Sequence, residues 1–249
     1  MLRRWLDRIS REPLTVFVHV PKTGGSTVNR ILRESLGEGR DHCEGFWSDP
    51  KQVGDAARAC RWLSGHLPRD EMEAALVGVS GRRLEFFTVL REPAAQVASQ
   101  YNWLMEIQFR GEAFFKSHPP EIQAMSREIG ASRNEDVSVV IGNLRRHRPL
   151  FLNQQSRLVL GSGGDGVTSE SEIRERLRAY RSIGTEHTLS GLAGQMTGER
   201  VSVVPQENTS PYHFDPAVFE TAAMREFLAV EHAADLALYA TVRGLERSV

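Results

Sequence analysis

The segment Pro21-Lys-Thr-Gly-Gly-Ser-Thr27 combines residue types that are suited to binding a phosphate or sulfate group. It follows a continuously apolar, β-branched run at residues 14–20, and apolar residues recur at helical spacing after it. This pattern predicts a buried strand, a turn and the N-terminus of a helix. Such a junction presents free backbone N–H groups and the positive end of the helix dipole, so the sequence predicts an anion site here.

Each residue type in this turn has a predicted contribution. Gly24 and Gly25 would let the backbone approach an anion, and Lys22 would add a mobile positive charge. Ser26 and Thr27 would cap the helix and add hydroxyl donors. The plainer alternative is an ordinary strand-to-helix turn whose lysine is solvated.

The order of these residues differs from the Walker A loop of nucleotide kinases and ATPases. Lys22 precedes Gly24 and Gly25, whereas in G-x-x-x-x-G-K-[ST] the lysine follows the glycines. A second strand, predicted at residues 83–90, is followed by Arg91 instead of the aspartate that holds Mg²⁺ in P-loop enzymes. Cations without a metal-binding carboxylate suit a donor that needs no metal.

Arg91 and Ser99 are candidates for a second anion contact. Ligands of parallel α/β sheets bind beyond the carboxyl ends of strands, and arginine is suited to bidentate phosphate recognition. Pro93 is suited to the first position of a helix, which puts Ser99 two turns into it. Alternatively, Arg91 pairs with Glu92 and Ser99 is an ordinary surface residue.

His66, after Gly65, is the candidate general base, because an imidazole can accept a hydroxyl proton near neutral pH. A surface or structural role is the alternative, since the chain has eight histidines. Glu44 and Glu207 are the reserve candidates for the base. His19 is predicted to be structural and hydrogen-bonded within the first strand. No metal site is predicted, because no set of His, Asp and Glu has recognisable ligand spacing.

Two segments together resemble a known family. Residues 21–27 resemble the 5′-phosphosulfate loop of sulfotransferases that use 3′-phosphoadenosine 5′-phosphosulfate (PAPS). The branch that they resemble most contains the heparan sulfate 2-O-sulfotransferases and bacterial carbohydrate sulfotransferases. Thr88-Val-Leu-Arg-Glu-Pro93, continuing to Val97, Ser99 and Tyr101, resembles the 3′-phosphate segment of that family.

The resemblance implies PAPS as the sulfuryl donor, no metal cofactor, and His66 and Lys22 as catalytic residues. The donor-binding residues it implies are Lys22, Thr23, Gly24, Gly25, Ser26, Thr27, Arg91 and Ser99. It further implies a hydroxylated acceptor, a saccharide or glycolipid. A nucleotide-dependent kinase, or a non-catalytic anion- or glycan-binding relative, are the alternatives.

Weaker resemblances extend along the chain. Residues 153–157 resemble an Asn-x-Gln-x-Arg segment, residues 206–210 an Asn-x-Ser loop, and residues 235–239 the C-terminal helix of the family. Loop capping and helix packing explain these three equally well. The chain departs from the family at Gln96, where the family often has a basic residue.

Strands and helices alternate along the chain, which predicts a single α/β domain over residues 1–249. The predicted architecture is three-layered, with a parallel sheet between helices on both faces, and the resemblance implies the P-loop-like sulfotransferase fold. Two more strands are predicted at residues 182–186 and 201–204. An amphipathic helix is predicted at residues 1–13; it covers a core edge or contacts a membrane surface.

The predicted loops and remaining helices complete this outline. Residues 39–51 and 161–166 read as loops, and Ser169 with Glu172 as a capping box for a helix through Tyr180. Helices are also predicted at residues 70–77, 93–107, 137–144, 189–196 and 216–245.

Composition limits the function classes. Lys and Arg number 31 against 32 for Asp and Glu, a net charge of −1, which argues against wholesale nucleic-acid binding. No apolar run approaches the length of a membrane span, and there is no signal peptide pattern. Cys43 and Cys60 are predicted to be free thiols in a reducing compartment, so the expected localisation is cytoplasmic.

Overall fold

A computed structural model describes residues 12–199, 201 and 211–246. Its centre is a five-stranded sheet in the order β2-β3-β1-β4-β5, and every pairing between neighbouring strands is parallel. The strands are β1 (Leu14–Val18), β2 (Gly39–Arg40), β3 (Trp62–Gly65), β4 (Leu84–Leu90) and β5 (Tyr180–Thr185). The predicted parallel α/β architecture is confirmed.

The central strand β1 is buried along its whole length, as its apolar run predicted. Its alternate residues face opposite sides of the sheet: Leu14, Val16 and Val18 contribute to one core and Phe17 to another. In the parallel register Val18 lies opposite Gly65 of β3 and Thr88 of β4. The carboxyl ends of these three strands therefore meet at one edge, which is where the predicted site residues follow them.

Helices cover both faces of the sheet and also form a separate layer. In chain order they are α1 (Gly25–Leu36), α2 (Pro50–Ala59), α3 (Arg69–Ser80), α4 (Pro93–Phe109), α5 (Glu112–Lys116), α6 (Pro120–Gly130), α7 (Val137–Arg146), α8 (Arg148–Phe151), α9 (Gln154–Leu160), α10 (Glu170–Leu177), α11 (Leu189–Thr197), α12 (Ala222–Glu231) and α13 (Ala233–Glu246). Short 3₁₀ turns lie at Cys43–Gly45, Gly164–Gly166 and Pro216–Glu220.

The apolar cores show which helices belong to each layer. Helices α1 and α11 pack on the face that carries Phe17 and Phe87. Helices α2, α3, α9, α10 and α13 pack on the opposite face. A third core lies between α4, α6, α7, α8 and α12, around the buried Tyr101 and Phe151. The sequence predicted individual helices here but not that they pack together as a layer, because the periodicity of a helix does not show which element it packs against.

Two predicted loops contain regular structure. Residues 39–51 include β2, a 3₁₀ turn and the start of α2. Gly39 lies under the indole of Trp62, where a Cβ atom would come within 2.1 Å of the ring. Strand β2 has only two residues, so it is too short to show the alternation of apolar and polar residues that predicts a strand. In the loop at residues 161–166, Gly164 is buried within a 3₁₀ turn.

Several predicted boundaries are wrong. Strand β1 ends at Val18, so His19 and Val20 belong to the turn. Helix α10 ends at Leu177, and Tyr180 begins β5. Ser169 is the N-cap of α10, but no capping hydrogen bond forms from its side chain, because its hydroxyl pairs with that of Ser171. The capping box is therefore absent.

Proline and histidine break two other segments. Pro120 is the first residue of α6, and Pro119 precedes it as the N-cap. The helix predicted at residues 216–245 is a 3₁₀ turn followed by α12 and α13, which are separated at His232. Cys43 and Cys60 are free, as predicted, and both are buried.

Some predictions fall outside the described residues. They are the helix at residues 1–13, apart from its last two residues, the strand at residues 201–204 beyond Val201, the segment 206–210 and Glu207. Within the described residues, no helix is long and apolar enough to cross a membrane.

Candidate functional site

The turn between β1 and α1 contains two residues with a left-handed backbone. Lys22 has a positive φ of 65°, and Gly24, at 97°, is the N-cap of α1. The helix thus begins at Gly25, and Ser26 lies in its first turn instead of capping it, which corrects the predicted cap. No side chain caps this helix within the described residues, so its first N–H groups remain available to a ligand.

The side chains of this turn have different exposures. Ser26 is exposed, whereas Thr23 and Thr27 are buried. The Thr23 hydroxyl donates to the Val20 carbonyl at 2.9 Å, which holds the turn closed. Thr23 can therefore contribute to an anion site through its backbone N–H, and its hydroxyl is already used.

Two side chains from the β4–α4 segment fasten the turn from the other side. Arg91 Nη1 donates to the Lys22 carbonyl at 3.2 Å. Gln96 Nε2 donates to the Pro21 carbonyl at 3.0 Å and to Gln154 Oε1 at 2.8 Å. Gln96, which stands where the resemblance would put a basic residue, thus positions the turn. The two segments predicted to bind anions are far apart in sequence, and these hydrogen bonds bring them into contact.

The charges around Lys22 form a mixed but mainly cationic group. Burial lowers the pKa of the Lys22 ammonium, while Glu106 raises it and the guanidinium groups of Arg91 and Arg110 lower it. Glu106, buried in α4, forms an ion pair with Arg110 at 2.8 Å. A ligand with two or more negative charges would be attracted to this group and would bring the Lys22 pKa back up.

The backbone of Arg91 is held in place by the side chain of Gln155. Gln155 Oε1 accepts from the Arg91 N–H at 2.9 Å, and Gln155 Nε2 donates to the Arg91 carbonyl at 2.8 Å. Glu92, the alternative partner for Arg91, instead caps α4 by accepting from the Ala95 N–H at 2.7 Å. Arg91 is half-buried, and its guanidinium is directed to the Lys22 turn.

Ser99 lies two turns into α4, as predicted, and its side chain is half-buried. Its hydroxyl has no hydrogen-bond partner among the described residues. Its location on the helix that begins next to Arg91 is compatible with a contact to the same ligand.

His66 lies just beyond the carboxyl end of β3, and a hydrogen bond of its ring defines which nitrogen carries the proton. Its Nδ1 lies 2.6 Å from the backbone carbonyl of His19. A carbonyl only accepts, so Nδ1 carries the proton and the neutral ring leaves a lone pair on Nε2. Burial lowers the pKa of His66, against the raising effects of the His19 carbonyl and Glu44. His66 therefore favours the neutral form that a general base requires.

His19 lies between His66 and the turn that joins β1 to α1. Its ring centroid is 4.3 Å from that of His66, and its side chain contacts the backbone of α1 at Gly25. A Cβ atom at Gly25 would lie 2.0 Å from the His19 ring, so only glycine fits there. The side chain of His19 approaches Asn29 at 3.5 Å, and only its backbone N–H bonds to the sheet, at Gly65. This partly corrects the predicted role within the strand.

Glu44 and His42 complete the surroundings of His66. Glu44 Oε2 accepts from the His66 backbone N–H at 3.0 Å, and Glu44 Oε1 lies 3.0 Å from His42 Nδ1. Burial raises the Glu44 pKa, but these hydrogen bonds outweigh it and the net shift is downward. Glu44 is therefore an ionised, weakly basic carboxylate. Sequence reasoning missed His42, because nothing in residues 39–51 linked it to His66.

Residues 153–156 and Asp235 support the site from behind. Buried Asp235 accepts from the Ser156 N–H and hydroxyl, both at 2.7 Å, and from the Gln155 N–H at 3.2 Å. Asn153 has a positive φ of 44° and accepts from the Asp235 N–H at 3.2 Å. The two weakly matched segments thus pack on each other, and two glutamines link them to the site: Gln155 holds Arg91, and Gln154 accepts from Gln96.

A cavity of about 640 Å³ lies elsewhere, between β5, α10, α11 and α13. None of the predicted site residues lines it. The candidate site is instead the open edge at the carboxyl ends of β3, β1 and β4, where ligands of parallel sheets bind.

A comparison with known proteins indicates a class of reaction. The chain is similar to a protein-tyrosine sulfotransferase from Arabidopsis thaliana, at 26% identity over 131 residues. The match covers 53% of this chain and 24% of the relative, so the chain spans about a quarter of that protein's length. No family model matches the chain. The similarity supports a sulfotransferase in general, without distinguishing the carbohydrate branch from others.

Proposed function

We propose that this protein transfers a sulfuryl group from PAPS to a hydroxyl group of an acceptor. The observation that carries the proposal is the hydrogen bond from the Arg91 guanidinium to the Lys22 carbonyl. It joins the two segments that resemble the 5′-phosphosulfate and 3′-phosphate sites of sulfotransferases. The distant similarity to a sulfotransferase supports the same reaction class.

The donor would lie across the N-terminus of α1. The backbone N–H groups of Gly25 and Ser26, with the Lys22 ammonium, would bind the 5′-phosphosulfate and stabilise charge on the departing phosphate. Arg91 and Ser99 would bind the 3′-phosphate, which ATP lacks. These contacts would select PAPS over ATP and fix the sulfur in position for in-line attack.

His66 would act as the general base. Its Nε2 would take the proton of the acceptor hydroxyl while the acceptor oxygen forms a bond to sulfur. The bond between sulfur and the bridging oxygen breaks at the same time, and the electron pair leaves with adenosine 3′,5′-bisphosphate. The His19 carbonyl, which accepts from Nδ1, would stabilise the imidazolium that results.

Two acceptor classes are candidates. The resemblance to carbohydrate sulfotransferases favours a saccharide or glycolipid hydroxyl. The similarity to a protein-tyrosine sulfotransferase favours a tyrosyl hydroxyl as the second candidate. A phenol, with a pKa of about 10, is deprotonated more readily by a neutral imidazole than a sugar hydroxyl is.

The test is sulfuryl transfer from ³⁵S-labelled PAPS to two acceptor panels, saccharides and glycolipids in one and tyrosine-containing peptides in the other. We expect label in one panel, and loss of at least about 100-fold in rate for Lys22→Ala. Lys51→Ala is the matched control, because Lys51 is an exposed lysine on α2. Label transfer that survives Lys22→Ala, or phosphoryl transfer from Mg²⁺-ATP in its place, would overturn the proposal.

A further inference from the structure

We propose that His42, Glu44 and His66 form a binding site for a divalent transition-metal ion, zinc above all. One ligand atom from each of these side chains lies within 4.8 Å of the other two. Within the described residues no other group of three such side chains comes as close together. Two imidazoles and one carboxylate, with a fourth position open, are a donor set that zinc adopts in proteins.

Hydrogen bonds that orient His66 and Glu44 support the proposal more strongly than the proximity of the three side chains does. A histidine that binds a metal usually donates its other ring N–H to a backbone carbonyl or a carboxylate. His66 Nδ1 makes this bond to the His19 carbonyl at 2.6 Å, which leaves Nε2 for the ion. Glu44 is oriented in the same manner, because Oε2 accepts from the His66 backbone N–H.

His42 is turned towards the other two ligands by its backbone. It adopts a left-handed conformation, with φ 51° and ψ 44°, that residues other than glycine rarely take. Its ring centroid lies 5.5 Å from that of His66, and its side chain is about two-thirds exposed. A tetrahedral zinc ion needs donor atoms about 3.3 Å apart. Rotation of the exposed His42 side chain can supply this small adjustment.

The choice of metal follows from the donors. Imidazole nitrogen favours zinc, copper, nickel and iron, whereas magnesium and calcium prefer sites made of oxygen alone. This site therefore differs from a magnesium site of a nucleotide-dependent enzyme. It also lies at His66, beyond β3, and not at the Lys22 turn.

Occupation of the site would regulate the proposed transfer reaction, and this part rests on the proposed function. A metal ion bound to His66 Nε2 uses the lone pair that would otherwise accept the acceptor's proton. Zinc would therefore inhibit sulfuryl transfer without occupying the donor site. Removal of the ion by a chelator would restore the rate.

The first test measures metal binding alone, by calorimetric titration of the full chain with zinc chloride. We expect one ion per chain, and at least about tenfold weaker binding for His42→Asn. Asparagine tolerates the left-handed backbone but is a poor zinc ligand. His187→Asn is the control, because His187 is an exposed histidine 3.7 Å from Glu186, and these two belong to no three-ligand group among the residues that the structure describes. Unchanged affinity in His42→Asn, or no binding by the wild type, would overturn the site.

The second test separates the metal site from the proposed function. Cobalt(II) bound at the site should give the visible absorption of a low-coordinate complex, and His42→Asn should abolish it. Where sulfuryl transfer is measurable, zinc should inhibit the wild type, whereas the same zinc concentration should leave His42→Asn at its own metal-free rate. Zinc binding without inhibition would overturn the regulatory role. A chain that binds zinc but transfers no sulfate would support the site and contradict the proposed function.

Discussion

The ring nitrogen Nδ1 of His66 donates to the backbone carbonyl of His19 over 2.6 Å. This bond links the turn after β3 to the turn after β1. The candidate donor loop, residues 21–27, begins two residues beyond His19. The candidate base and the candidate donor loop are therefore held in one arrangement by backbone geometry. The neutral ring can carry only one proton, so the same bond leaves Nε2 as an acceptor.

Replacement of His66 should remove the base and leave the fold intact. We expect His66→Asn to lower kcat by about 10²–10⁴-fold. The asparagine amide can still donate to the His19 carbonyl, so this variant should melt close to the wild type, whereas His66→Ala also loses that bond. The measurement is kcat and melting temperature for both variants. A His66→Asn enzyme with near-normal turnover would transfer the role of base to Glu44 or Glu207.

The rate should also reveal the pKa of His66. Burial lowers that pKa below the ordinary value of about 6.5, so the neutral base persists as the solution becomes acidic. The acidic limb of the kcat/KM profile should accordingly have its midpoint below pH 6.5. A midpoint above pH 7 would contradict a buried neutral histidine as the base.

Gly25→Ala should damage the site through His19. The added Cβ atom would lie 2.0 Å from the His19 ring, so the ring or the helix start must move. We expect a loss of about 1–3 kcal/mol in unfolding free energy and weaker binding of adenosine 3′,5′-bisphosphate. Urea denaturation and calorimetry measure the two effects.

Gly78→Ala provides the control for that substitution. Gly78 is exposed on α3, and nothing lies within 4 Å of a Cβ atom placed there. Alanine should stabilise the helix by about 0.5–1 kcal/mol and leave ligand affinity unchanged. If Gly25→Ala and Gly78→Ala change the unfolding free energy and the ligand affinity equally, the proposed clash between residue 25 and His19 is wrong.

Arg91→Ala should affect one phosphate selectively. Loss of a charged hydrogen bond worth about 1.5–3 kcal/mol would weaken adenosine 3′,5′-bisphosphate about 10–150-fold. Affinity for 5′-ADP, which has no 3′-phosphate, should change far less. Arg91→Lys keeps the charge without the planar fork and should give an intermediate value. Equal losses for the two nucleotides would show that Arg91 acts only by holding the Lys22 carbonyl.

Buried His232 should make folding sensitive to acid. Burial lowers its pKa to about 4, so the unfolded chain binds a proton between pH 6.5 and 4 that the folded chain refuses. Stability should fall as pH drops through this range, by up to about 3 kcal/mol. Asp235, whose pKa burial raises to about 6, acts in the opposite direction.

The difference between wild type and His232→Gln isolates the histidine from Asp235. The variant should lose less stability than the wild type between pH 7 and 4, as measured by urea denaturation. Parallel stability curves would contradict a buried neutral His232.

Sequence predicted the elements that depend on local pattern. The apolar runs at residues 14–20 and 83–90 predicted β1 and β4, and the helical spacing after residue 27 predicted α1. These predictions succeeded because a buried parallel strand is continuously apolar. Anion binding at the turn and at Arg91 stays a prediction.

The remaining features depend on contacts between distant residues. The bond between Gln155 and Arg91, the packing of His19 on Gly25, and the approach of His42 to His66 each join separate segments. A single sequence contains no periodicity that records such contacts. The two-residue strand β2 was missed for the same reason, since it forms through Gly39 and Trp62.

The most direct test of the central claim is a crystal structure of the protein with adenosine 3′,5′-bisphosphate. The account predicts the 5′-phosphate within hydrogen-bond distance of the Gly25 and Ser26 N–H groups and of Lys22 Nζ, with the 3′-phosphate on Arg91. A nucleotide bound elsewhere, for example in the cavity between β5 and α11, with the Lys22 turn free of phosphate, would contradict it.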